Sequence, residues 1–289
     1  MRFRTLPLAL SSIGMGSFLA LSNNVFQIRV MLWAGLTTVL LQVLSNLAND
    51  YGDSINGADN DARIGPSRAV QSGIISPAAM KQAIYLFVIL SLASGIILLS
   101  ISVGLATKEF YWFLGFGVLS IAAAYLYTAG SRPYGYAGLG DIMVLVFFGL
   151  LGVMGSYFLY AQEINFQIIL PALSVGALAT GVLNINNIRD IDSDAKAGKQ
   201  TIPVRFGHKT AIIYHWTLLL TAILSAGTYI YLVGVNSYSP LLLIGVPLLL
   251  FNGYRVSKVE TNQDLDPYLK QLAMSSLLFM LSFGLAIVL

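Results

Sequence analysis

The sequence predicts an all-α, polytopic membrane protein with nine transmembrane helices. Of its 289 residues, 56% are hydrophobic and only 10% are charged, and the mean hydropathy is +0.76. A soluble domain carries about 25% charged residues, so lipid must solvate much of this apolar surface. The apolar runs do not alternate with polar residues, which excludes a β-barrel and leaves helices as the spanning elements. The chain has no cysteine, which excludes disulfides, thiolate metal sites and a cysteine nucleophile.

The helices are predicted from apolar runs that come close to or exceed the roughly 20 residues needed to cross a bilayer. The runs cover residues 6–22, 29–48, 79–104, 110–128, 140–161, 168–188, 210–233, 238–254 and 269–289. The first run follows the basic segment MRFRT, so a cleaved signal peptide is an alternative for it. Its length favours a retained helix.

The distribution of positive charge predicts the orientation of the chain. If the N-terminus is cytoplasmic, 14 of the 16 Lys and Arg residues lie on the cytoplasmic side, and only Arg29 and Lys108 lie outside. This asymmetry obeys the positive-inside rule. We therefore expect a multi-pass protein of the cell (inner or cytoplasmic) membrane. Its N-terminus and both of its Asp-rich loops are expected to face the cytoplasm.

A polar pattern occurs twice, each time at the cytoplasmic end of an apolar run. The first copy is Asn49, Asp53, Pro66 and Arg68, and adding 137 to each number gives Asn186, Asp190, Pro203 and Arg205. The copies lie four spans apart, and an even number of crossings returns the chain to the same side, so the repeat is parallel. We expect one domain, 1–289, built from two related halves (about 1–128 and 140–254) and a ninth helix.

The first acidic set lies at the end of the second span. At 100° per residue, Asn46, Asn49, Asp50 and Asp53 share one helix face, and Asp59 follows in a glycine-containing loop. Asp and Asn oxygens are the ligands that Mg²⁺ prefers, usually with substrate phosphate oxygens beside them. The alternative is a helix end solvated by headgroup water. A stripe of polar side chains is costly at membrane depth, which favours a functional site.

The second acidic set repeats this chemistry. Asn186, Asp190 and Asp194 share a face if the helix continues that far, whereas Asp192 points elsewhere. Two such sets facing each other would clamp one diphosphate through divalent ions and neutralise charge on the leaving group.

Basic residues follow each acidic set and suit phosphate oxygens. The candidates for contact with a diphosphate are Arg63, Arg68, Lys199 and Arg205. The alternative is that these charges only enforce the orientation, and for Lys196 and Lys209 both interpretations stay open. Arg68 and Arg205 occupy the same repeat position, which favours function.

A third loop, YLYTAGSRPYGYAGLGD, is rich in tyrosine. Interfacial tyrosines are ordinary at a membrane surface. The functional alternative is a ring, such as that of Tyr127, that faces a carbocation or holds an aromatic substrate.

These motifs resemble those of the UbiA superfamily of intramembrane aromatic prenyltransferases. The family's first motif is similar to Asn49, Asp53 and Asp59, with Asp50 also acidic, and its second motif to Asp190 and Asp194. The segments NLANDYGD, RIGPSRAVQSG and DAKAGKQTIPVRFG resemble the branch that prenylates 1,4-dihydroxy-2-naphthoate. The resemblance implies a parallel-repeat bundle around a central cavity that opens to the cytoplasm and laterally to lipid. It implies metal ligation by both sets, Asn186 included, and catalytic roles for Asp50, Asp53, Asp190 and Asp194.

The implied reaction is the Mg²⁺-dependent transfer of a polyprenyl group from polyprenyl diphosphate to 1,4-dihydroxy-2-naphthoate. The carboxylate leaves as CO₂, and the product is demethylmenaquinone. Two or more Mg²⁺ ions are expected, with Mn²⁺ as a substitute, and the partners are these two substrates and the lipid bilayer, with no nucleic acid. One alternative is a prenyltransferase for another aromatic acceptor such as 4-hydroxybenzoate. A cation-coupled transporter is the other, although transporter sites lie near the bilayer midplane and these carboxylates lie at its rim.

Overall fold

Helices make up nearly all of the computed structural model, which describes residues 5–56, 70, 72–130 and 132–289. In chain order they are α1 (Leu6–Ser22), α2 (Ile28–Ile55), α3 (Pro77–Ser102), α4 (Lys108–Leu126), α5 (Gly140–Val144), α6 (Ser156–Ala161), α7 (Ile169–Arg189), α8 (Ile191–Lys196), α9 (Ile202–Val233), α10 (Val246–Lys258) and α11 (Asp266–Val288). A π-helical segment, Leu145–Gly155, joins α5 to α6, and these described ranges contain no strand. The all-α fold expected from composition is confirmed.

The predicted spans correspond to these helices. Within the described ranges, eight helical segments are long and apolar enough to cross a bilayer, and α1 is a shorter ninth apolar helix of 17 residues. Met15 and Leu19 of α1 are fully buried in the main core of the bundle.

Three helix ends near the polar residues differ from the sequence prediction in ways that matter for the site. Helix α2 continues to Ile55, well past its apolar run, because its polar end packs against the protein instead of lipid. Helix α7 ends at Arg189, and Asp190 has non-helical dihedral angles before the short α8 begins. Helix α9 begins at Ile202 and is broken at Gly207, whose φ of 82° lies in the left-handed region.

Helix α7 forms the centre of the second half and is the most buried span of the described bundle. It packs against α9, α11 and the π-helical segment. Gly149 and Gly176 permit the last of these contacts, because a Cβ on Gly149 would lie 2.6 Å from the carbonyl oxygen of Ala172. Small residues of this kind allow helices in membranes to approach closely. The tight packing fixes the end of α7, which carries the second acidic set.

Candidate active site

A cavity of about 440 Å³ runs through the described part of the bundle. Its polar end is lined by both acidic sets and by a loop that joins α4 to α5, which we call the tyrosine loop (residues 127–139). Its other walls are largely apolar and include residues of α3, α4, the π-helical segment and α6. These walls include Leu92, Leu98, Phe113, Phe116, Phe147, Leu151 and Leu159. The cavity therefore joins a charged end to a long apolar channel.

Asp53 is the central residue of the first acidic set. Its side chain is only 3% exposed, although it sits at the end of a helix. Tyr136 of the tyrosine loop donates a hydrogen bond to Asp53 Oδ1 over 3.1 Å, and Lys199 Nζ lies 3.4 Å from the same oxygen. Asn49, one turn earlier, accepts a hydrogen bond from Thr128 Oγ1 over 3.2 Å. The tyrosine loop thus holds Asn49 and Asp53 of this set.

Lys199 connects the two acidic sets. Its ammonium lies 3.2 Å from Asp194 Oδ1 and 3.4 Å from Asp53 Oδ1, and it lies 5.0 Å from the centre of the Tyr136 ring. The backbone supports this arrangement, because Gln200 N donates to Tyr136 O over 2.9 Å. Carboxylates from both halves therefore converge within reach of one cation.

Burial and clustered negative charge determine the electrostatics at the cavity's polar end. Burial raises the pKa of Asp194 to about 6; Lys199 opposes this shift, and the charges of Asp190 and Asp53 add to it. Burial, followed by the charges of Asp53, Asp141 and Asp194, also raises the pKa of Tyr127 above its ordinary value, so its hydroxyl stays protonated at neutral pH. A cation bound beside Asp194 would favour the ionised form of its carboxyl.

The cavity brings most of the predicted site residues together. Its lining includes Asn49, Asp53, Tyr127, Asn186, Asp190, Asp194 and Lys199. Asp50 and Arg205 are described but lie outside the lining, and the guanidinium of Arg205 donates instead to the Ala137 carbonyl over 2.8 Å. Asp59, Arg63 and Arg68 lie outside the described residues. The functional roles of all these residues stay predictions.

Sequence reasoning missed two residues that organise this end of the cavity. Tyr136 was only one of several tyrosines in its loop, and no spacing rule connects it with Asp53. Arg189, which pairs with Asp190, was counted only as a positive charge of the cytoplasmic side. The sequence does show that the repeat breaks at this position. Arg189 corresponds to Gly52, the residue 137 places earlier, so its charge is specific to the second acidic set.

The donor chemistry of the cavity fits a hard divalent cation. The lining offers carboxylate and amide oxygens, and one ammonium already lies between Asp53 and Asp194. No group of three or more His, Asp or Glu side chains suited to a metal ion occurs in the part of the chain that the structure describes. An ion bound here would need oxygen ligands from a substrate as well, which is how Mg²⁺ is commonly held beside phosphates.

The fold and the cavity define a membrane-embedded helical enzyme with an acidic site at one end of an apolar channel. The sequence model of the UbiA prenyltransferase family matches residues 9–284. The chain belongs to this family and is a prenyltransferase.

Relatives of known name and a solved structure are similar over nearly the whole chain. The 1,4-dihydroxy-2-naphthoate octaprenyltransferase of Haemophilus influenzae is 46% identical over 288 residues, which are 99% of this chain and 93% of the relative. The Escherichia coli protein of the same name is 44% identical over 287 residues, again 99% and 93% of the two chains. A UbiA homologue from Archaeoglobus fulgidus, solved with DMAPP and Mg²⁺, is 18% identical with a TM-score of 0.63, and the match covers 99% of this chain and 98% of that one.

Proposed function

We propose that this protein transfers a polyprenyl group from polyprenyl diphosphate to 1,4-dihydroxy-2-naphthoate with loss of CO₂. The immediate product is the aromatic hydroquinone, demethylmenaquinol, and a separate two-electron oxidation converts it to demethylmenaquinone. The observation that carries the proposal is the full-length similarity to two bacterial proteins named for this acceptor. The cavity supports it, because a charged end suits a diphosphate and an apolar channel suits a prenyl tail.

The bond changes of the proposed reaction balance without an oxidant or a reductant. The allylic C–O bond breaks, and its electron pair leaves with the diphosphate. The ring carbon that bears the carboxylate forms the new bond to the allylic carbon. The carboxylate then leaves as CO₂, and the pair from its C–C bond restores the aromatic ring.

The acidic sets are proposed to hold Mg²⁺, with Asp53 and Asp194 as the first ligands and Asn49, Asn186 and Asp190 around them. When bound, Mg²⁺ would withdraw charge from the diphosphate as the C–O bond breaks. The homologue from Archaeoglobus fulgidus that was solved with DMAPP also contained Mg²⁺. Lys199 lines the same end of the cavity and is proposed to bind diphosphate oxygens as a point charge.

The apolar walls are proposed to bind the prenyl tail and to keep water from the allylic cation. The channel wall carries aromatic rings, among them Phe113, Phe116 and Phe147, which can stabilise a cation without reacting with it. Exclusion of water prevents hydrolysis of the reactive intermediate.

Removal of divalent metal should abolish turnover. The carboxylates at the polar end repel a diphosphate, and Lys199 is the only basic side chain among the described residues of the lining, so bound cations are needed to hold the two together. Excess chelator should reduce product formation to background, and added Mg²⁺ or Mn²⁺ should restore it, since both ions prefer oxygen ligands. A chelator loaded with Mg²⁺ beforehand is the control. An unchanged rate in metal-free buffer would contradict the proposed role of the acidic sets.

The acidic end of the bundle is proposed to face the cytoplasm. The chain has no cysteine, so single cysteines can report accessibility without background. Ser72→Cys and Ala195→Cys, both at exposed positions, should react with an impermeant maleimide only in inside-out vesicles. Ser237→Cys, exposed in the segment after α9, is the matched control and should react only in right-side-out vesicles. The reverse pattern would overturn the orientation.

The choice of acceptor is tested by mass spectrometry of the products. Purified protein is incubated with a polyprenyl diphosphate, Mg²⁺ and either 1,4-dihydroxy-2-naphthoate or 4-hydroxybenzoate. The proposal expects a prenylated, decarboxylated product from the naphthoate and much less from the benzoate. A preference for the benzoate would select the other acceptor class, and absence of any prenylated product would reopen the transporter alternative.

A further inference from the structure

Arg189 is a fully buried arginine at the end of α7. Its side chain is 0% exposed, and it stands directly before Asp190 of the second acidic set. A buried guanidinium is costly unless its charge and its N–H groups are all engaged. Arg189 does not line the cavity, so its contacts are with protein groups and not with the space available to substrate.

The guanidinium of Arg189 binds three side chains at once. Its Nε and Nη2 donate to the two oxygens of Asp190 over 2.8 and 2.7 Å, which is a bidentate fork. Nη2 also donates to Asn186 Oδ1 over 2.8 Å, and Nη1 donates to Asp266 Oδ1 over 2.6 Å. One buried cation thus ties two cavity-lining residues to the first residue of α11.

These bonds determine how Asn186 and Asp190 face the cavity. The oxygen of Asn186 is taken by Arg189, so its Nδ2 turns to Asp190 Oδ2, 3.3 Å away. Asp190 Oδ2 therefore accepts from both Arg189 and Asn186, whereas Oδ1 accepts from Arg189 and keeps a further lone pair for another partner. Both side chains are held in a single orientation by a partner that substrate does not contact.

In the first half of the chain, a different contact orients the equivalent residue, Asn49. The residue 137 places before Arg189 is Gly52, where a Cβ would lie 2.5 Å from Thr128 Oγ1. The absence of a side chain lets Thr128 approach α2 and donate to Asn49 Oδ1. The repeat therefore positions Asn49 with a neutral hydroxyl from the tyrosine loop, and Asn186 with a buried charge from its own helix.

We propose that Arg189 is a positioning residue for the diphosphate end of the cavity, which orients Asn186 and Asp190 and is itself anchored to α11 through Asp266. The inference rests on the proposed function. Residues that orient metal ligands from behind typically change metal affinity by about 10- to 100-fold when they are replaced. Arg189 is expected to act in this range through Asp190, without touching substrate.

The substitution Arg189→Lys removes the bidentate contact with Asp190 and keeps the positive charge. In Arg189→Lys we expect the Mg²⁺ concentration for half-maximal rate to rise about tenfold, with the KM for the aromatic acceptor unchanged within about twofold. Arg255→Lys is the matched control, because Arg255 pairs with Tyr268 between α10 and α11 away from the cavity. This control should keep wild-type values.

A binding measurement separates this role from a general loss of stability. A non-reactive prenyl thiolodiphosphate with Mg²⁺ should raise the Tm of the wild type, and Arg189→Lys should need about tenfold more Mg²⁺ for the same rise. An unchanged Mg²⁺ requirement in a folded Arg189→Lys variant would reduce Arg189 to a packing role and overturn the inference.

Asp266→Asn gives a second test if Arg189→Lys does not fold. Asp266 is 42% exposed, so its replacement is tolerated more easily, and it weakens the anchor while leaving the Asp190 fork in place. A raised Mg²⁺ requirement in Asp266→Asn supports the inference, and a wild-type requirement overturns it. Failure of the proposed function is distinguishable from both results, because the wild-type protein would then form no prenylated product.

Discussion

Asp53→Asn should lower kcat by roughly 10³-fold while the protein stays folded in the membrane. Asp53 is buried at the polar end of the cavity, where Tyr136 and Lys199 both bind its Oδ1. The amide keeps the size of the side chain and removes the negative charge, so a divalent ion loses its strongest ligand on α2. Turnover is measured with saturating Mg²⁺, and folding is measured by the Tm of the purified protein.

Variants of two other carboxylates, Asp192 and Asp50, are compared with Asp53→Asn. Asp192→Asn is the matched control, because Asp192 is exposed, lies outside the cavity lining and lies on the same short helix, α8, as Asp194. It should retain wild-type activity. Asp50→Asn reports whether the neighbouring acid acts from outside the lining. A folded Asp53→Asn variant with near-normal kcat would refute the two-set metal site.

Lys199→Met should lower kcat/KM for prenyl diphosphate by about 100-fold. Lys199 is the cation nearest to both Asp53 and Asp194, and its removal leaves these two buried carboxylates without the charge between them. The variant also loses the point charge proposed to bind diphosphate oxygens. Initial rates over a range of prenyl diphosphate concentrations measure the effect, with the acceptor held at saturation.

The control for Lys199→Met removes the same charge a short distance away. Lys196 is exposed and outside the described lining, so Lys196→Met changes the net charge without changing the cavity. It should behave as wild type. Equal losses in both variants would show that the total charge of the loop matters, and not the position of Lys199 between the two acidic sets.

The repeat in the sequence predicted four of the residues that line the polar end of the cavity. Asn49, Asp53, Asn186 and Asp190 could be chosen because polar residues are rare at membrane depth and because both copies stand at the same side of their spans. Helical periodicity also put Asn46, Asn49 and Asp53 on one face, and all three line the cavity. It put Asp50 there too, and Asp50 lies outside the lining, because an ideal wheel does not state how wide the facing cavity is.

Contacts between segments that are distant in the chain could not be predicted from the sequence. Tyr136 reaches Asp53 across 83 positions, and Lys199 reaches Asp53 from the other half of the chain. Arg205 shares a repeat position with Arg68, yet its guanidinium binds the Ala137 carbonyl of the tyrosine loop. Repeat symmetry predicts equivalent positions, but it does not predict which partner meets each position after the loops pack.

The sequence by itself determined that this protein is a helical membrane protein with two matched acidic sets. Those properties follow from composition, run length and periodicity. The bilayer requires apolar runs of a certain length, and it requires backbone polar groups to be paired within each helix. Only the tertiary structure decided that Lys199 stands between the two sets, that Thr128 fills the space beside Gly52, and that Arg189 turns inward to Asp190. The physical reason is that burial and pairing of a charge depend on packing among distant segments, which local pattern does not encode.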